Sequence, residues 1–221
     1  MKEKKVSIIL NSIIVILEII ALIISYKTLG RICIEYYTID SNILALISSA
    51  LYIIFLLKKN NIPRWLSFFK YLTTIGLSVT FVVVLFVLLP MTDFDLYGML
   101  VSDSLIFHHV LCPILAVITF LFFDKIGKFS IKDCFFGLSF TVVYSIVLIL
   151  LNYYKVLEGP YPFLKLYDQS VSSSILWLVI MYAIALYLSY LLKYFRVDDE
   201  EGEKDEKRKK KNIRQKTNKN R

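Results

Sequence analysis

Residues 6–26, VSIILNSIIVILEIIALIISY, decide the fold. A stretch of about 20 mostly apolar residues is long enough to cross a bilayer as a helix. Inside the bilayer only a helix satisfies its own backbone. The run follows Met-Lys-Glu-Lys-Lys, as a signal peptide would. It is too long for a signal core, however, and no small-x-small cleavage site follows, so it reads as an uncleaved first span.

Five further stretches repeat the pattern: Tyr36–Leu57, Tyr71–Leu89, Ser102–Phe123, Phe135–Tyr153 and Ser173–Phe195. Short connections marked by charge, Gly or Pro separate them. The chain is 57% hydrophobic, above the usual share for a soluble domain. The expectation is an all-α protein: a six-helix membrane domain over residues 1–196 and a disordered, charged tail over 197–221. That tail begins acidic at Asp198 and turns basic from Lys207. Such charge blocks cannot bury apolar area, but they can meet anionic lipid headgroups. A nucleic-acid partner is not expected.

Lys and Arg set the expected orientation. Lys2, Lys4 and Lys5 at the N-terminus, Lys58, Lys59, Arg64 and Lys70 in the second loop, and Lys125, Lys128 and Lys132 in the fourth loop fall on one side. Only Lys27, Arg31, Lys155 and Lys165 fall on the other. Both termini are expected in the cytoplasm. Cys33, Cys112 and Cys134 are scattered, with no CxxC or Cys/His cluster, so neither a disulfide framework nor a metal site is expected, and no cofactor either.

Polar groups inside spans are costly and are therefore the candidates for function. Thr38 and Asn42 share a helix face, with Ser41 beside them, while Asp40 points elsewhere. His108 and His109, followed by Pro113, are the two histidines of the chain. By the expected topology they lie at a depth similar to Thr38, as a hydroxyl nucleophile and its base would. Consecutive residues diverge by about 100° around a helix, so one imidazole at most faces Thr38. Glu158-Gly-Pro-Tyr-Pro-Phe163 is a rigid non-helical loop able to cap that end, with Tyr161 as a substrate contact. Glu18 must be protonated or paired across the bundle. Every one of these residues also has a plain packing role open to it, since Ser, Thr and Asn often join membrane helices.

Three segments together, Tyr37-Thr38-x-x-Ser41-Asn42-x-Leu44, His108-His109-Val-Leu-Cys-Pro113 and Gly159-Pro-Tyr-Pro-Phe163, resemble the androgen-induced membrane-protein family in its bacterial six-span branch. The resemblance covers nearly the whole membrane body. It implies a bacterial cytoplasmic-membrane protein acting as a threonine-dependent lipid hydrolase on fatty-acyl esters. It also implies Thr38 as nucleophile and His108 or His109 as base. On that reading Asn42 would donate to the oxyanion and Asp40 would orient the imidazole from across the bundle. A non-catalytic lipid-binding or structural membrane protein is the alternative. A small transporter using Glu18 and the histidines as a proton relay is a third.

Overall fold

The computed structural model describes residues 2–58 and 61–196, and the expected tail lies outside them. Among the described residues the secondary structure is entirely helical. Helix α1 spans Lys2–Leu29, α2 Tyr37–Lys58, α3 Arg64–Met91, α4 Ile106–Phe122, α5 Ile131–Tyr153 and α6 Val171–Phe195. Five of these are long and apolar enough to cross a membrane, the architecture of an integral membrane protein.

The fourth span departs from the expectation. Ser102–Ser104 form turns, and α4 begins at Ile106. At 1.5 Å per residue the helix is about 25 Å long, short of an apolar core of about 30 Å. Its first part, Ile106–Leu111, is π-helical, and Pro113 follows at the start of the regular helix. Because the proline lacks an N–H, the turn before it is free to widen. A second π turn, Val84–Leu88, ends just before Pro90 in α3.

Helix α1 is polar inside and apolar outside, the reverse of a helix on a soluble protein. Its buried side carries Ser7, Asn11, Ile14, Glu18, Ala21 and Ser25 at heptad spacing, while Ile9, Ile16, Ile20 and Ile23 are exposed. Lipid tolerates the isoleucines, and the polar groups find partners between helices. α1 packs on α2 and α4, and α3 packs on α2, α4 and α6. α5 joins the bundle through Gly137, where a Cβ would stand 2.5 Å from Ile75 Cδ1.

At the N-terminal end the structure corrects one reading. Lys70 is not a loop residue: it lies inside α3 and is 1% exposed. Its Nζ donates to Asn11 Oδ1 at 2.8 Å and Ser49 Oγ at 3.2 Å, and lies 3.5 Å from Asp124 Oδ2. The other Asp124 oxygen accepts from Asn11 Nδ2 at 2.8 Å and Ser7 Oγ at 2.9 Å. Arg196, stacked over Phe120, donates to the carbonyls of Phe120, Asp124 and Ile126 and so closes the end of α4.

Candidate functional site

The opposite end of the bundle holds the polar residues singled out by sequence. Thr38 lies in the first turn of α2, 7% exposed. It lines a mostly apolar cavity of about 60 Å³ between α2, α3, α5 and α6. Tyr37, Thr80, Thr141, Tyr161 and Met181 share the wall. Val84 and Leu88, from the π turn of α3, line it too.

Tyr161, Phe163 and Leu164 of the Gly-Pro-Tyr-Pro loop line this cavity, and Pro162–Leu164 form a 3-10 turn where a non-helical loop was expected. Gly159 takes a φ of +85°, which a glycine adopts without strain. Tyr161 stacks on Phe163, ring centres 5.3 Å apart, and meets Tyr36 edge-on at 6.1 Å. Its hydroxyl accepts from Thr38 N at 3.4 Å and also borders the Thr38 side chain. Burial pushes that hydroxyl up to about 12, so it stays protonated at neutral pH and is a donor rather than a base. Asn152, not singled out from sequence, holds the loop: its Nδ2 donates to the carbonyls of Leu157 and Glu158, and its Oδ1 accepts from Leu166 N.

The other candidates are distributed as follows. Ser41 is buried, donating to Thr38 O at 3.0 Å and sharing a hydrogen bond with Thr80 Oγ1 at 3.1 Å. Asn42 Nδ2 donates to Thr38 O at 2.6 Å and reaches His108 O at 3.4 Å. The amide therefore ties α2 to α4, and oxyanion donation would require it to release these carbonyls. Asp40 is half-buried, and among the described residues its carboxylate makes no hydrogen bond or ion pair. Nothing in the geometry joins it to an imidazole.

The two histidines separate as consecutive helical residues must. His108 faces α1: its Nε2 is 3.0 Å from Ser25 Oγ and its Nδ1 is 3.2 Å from Glu18 Oε2. Glu18 is thus paired across the bundle, one of the two options its burial allowed. His109 turns the other way, and its Nδ1 lies 2.6 Å from Met99 O. With Nδ1 as the donor to that carbonyl, Nε2 is the basic nitrogen, the tautomer a general base needs. No hydrogen bond joins Thr38 to either imidazole among the described residues.

No family model, curated protein or solved structure matches the chain.

Proposed function

We propose that the chain crosses the membrane six times with both termini cytoplasmic, and that it is a lipid esterase whose cavity takes a fatty-acyl chain with its ester at Thr38. One observation carries this: a buried threonine lining an apolar cavity of about 60 Å³, beside Tyr161. Each methylene moved from water into apolar surroundings contributes about 0.8 kcal/mol, and the length of the chain beyond the cavity would lie between the helices.

In the reaction, Thr38 Oγ attacks the ester carbonyl and gives its proton to an imidazole. That imidazole then protonates the leaving alcohol. Water releases the acyl group in a second step with the same base. His109 suits the role better than His108, since both ring nitrogens of His108 are already engaged with α1. The Tyr161 hydroxyl, beside Thr38, is the donor closest to the developing negative charge in this account. A short α4 is accommodated by local thinning of the bilayer.

A second reading, a lipid-binding protein without catalysis, is favoured by the lack of any Thr38–imidazole hydrogen bond. Hydrolysis of a long-chain acyl ester by the purified chain in lipid nanodiscs separates the two. The esterase reading expects activity that Thr38→Ala abolishes. Stoichiometric lipid binding without turnover supports the second reading instead.

A further inference from the structure

Glu18 and His108 are both 0% exposed, deep in the bundle, and no step at Thr38 uses them. Glu18 Oε2 and His108 Nδ1 are 3.2 Å apart, a buried pair beside the Cys112 thiol. A carboxyl group and an imidazole brought together inside the spans are costly to bury and are therefore a candidate for function. On its other side His108 continues into a line of hydroxyls. Nε2 is 3.0 Å from Ser25 Oγ, which is 2.7 Å from Ser104 Oγ. Ser104 is in the turn ahead of α4, at the end of the bundle opposite the N-terminus. Toward the N-terminal end the line stops. Ile14, Ala45, Leu77 and Ala116 form a separate apolar cluster between Glu18 and the Lys70–Asp124 pair.

We propose that Glu18 and His108 form an intramembrane proton-binding site, loaded through Ser104 and Ser25 and closed toward the N-terminal end by the Ile14–Leu77 cluster. A hydronium ion at the bundle end gives a proton to Ser104 Oγ, whose own proton passes to Ser25 Oγ. The Ser25 proton passes to His108 Nε2. The imidazole then releases its Nδ1 proton to Glu18 Oε2. One proton enters, both hydroxyls are restored, and the carboxylate becomes a neutral acid that the apolar surroundings accept. The groups around the pair are the Cys112 thiol, which faces Glu18 from α4, and His109, next in chain. From α2 comes the neutral Asn42 amide, bonded to the His108 carbonyl. A fixed cation there would hold the carboxylate charged; none of these groups supplies one.

The test uses the full chain in lipid nanodiscs and follows two signals with pH. One is the infrared carbonyl band of a protonated buried carboxylic acid. The other is the nitrogen-15 resonance of His108, assigned with His109→Gln because the chain has two histidines. The band is expected to be present in acid and to vanish, together with a change in the His108 signal, as the pH is raised. Glu18→Gln removes the band and shifts the His108 midpoint by about one unit or more, a tenfold change in proton affinity. Ser25→Ala and Ser104→Ala leave the midpoint in place but slow hydrogen–deuterium exchange of the band about tenfold. A wild-type band that ignores pH overturns the proposal without any variant. An exchange rate unchanged by both serine variants also overturns it. Thr38→Ala leaves all these signals intact, so absence of esterase activity has no bearing on the outcome.

Discussion

Lys70 Nζ and Asp124 Oδ2 stand 3.5 Å apart, with side chains 2% and 0% exposed, and lock α3 to the end of α4. Removing one partner of such a pair leaves an uncompensated buried charge. Asp124→Asn is therefore expected to destabilise the bundle by about 3–5 kcal/mol, whereas the double replacement Lys70→Met with Asp124→Leu costs less than either single change. Thermal unfolding in detergent compares the three. A double variant less stable than both singles would contradict the assignment.

Gly137 admits α5 against α3 because it has no Cβ. An added methyl would stand 2.5 Å from Ile75 Cδ1, so Gly137→Ala forces that side chain to move. The expected cost is about 1–3 kcal/mol. Ile75→Val, which deletes the obstructing methyl, should recover much of it in the double variant. Additive losses in the melting curves would show that the clash lies elsewhere.

The two histidines should respond differently to truncation. His108→Ala leaves Glu18 buried without its partner and lowers stability by about 3 kcal/mol or more. His109→Ala loses a bond to the Met99 carbonyl, costs about 1 kcal/mol, and abolishes ester hydrolysis. Melting temperature and turnover, measured on the same samples, check both. Loss of turnover confined to His108→Ala would assign the base to the wrong ring.

Tyr161 gives a pH dependence with a definite sign. Burial holds its pKa up to about 12, against about 10 for a free tyrosine. A raised folded value means that the neutral hydroxyl stabilises the folded state fully below about pH 10. That contribution is lost as the pH climbs through about 12. Tyr161→Phe removes this titration along with the bond from Thr38 N. The stability difference between wild type and variant should thus stay flat to about pH 10 and narrow above it. A difference that widens with alkalinity would contradict the assignment.

Much of this architecture was legible in sequence because spanning helices are long apolar runs that chemistry forbids elsewhere. The 158–163 loop was legible as able to cap the end that holds Thr38, but not the contact of Tyr161 with Thr38 N. What escaped was the sorting of charges. Lys70 sits near a basic loop, so its side chain counted as a loop cation, although a buried carboxylate three helices' packing away draws it inward. Nothing local in the chain announces Asp124 as that partner. Asn42 was read by the face it shares with Thr38, but its amide is taken up by the carbonyls of Thr38 and His108. Glu18 declared its need for a partner; only the crossing of α1 and α4 decides that the partner is His108.

The central claim is that Thr38 is the reacting hydroxyl at the mouth of a lipid cavity. Labelling the purified chain in nanodiscs with a long-chain fluorophosphonate, followed by peptide mapping, tests it most directly. A single adduct on Thr38 is expected, absent from a folded Thr38→Ala variant. An adduct on another residue such as Ser25, or labelling of Thr38→Ala equal to wild type, would contradict it.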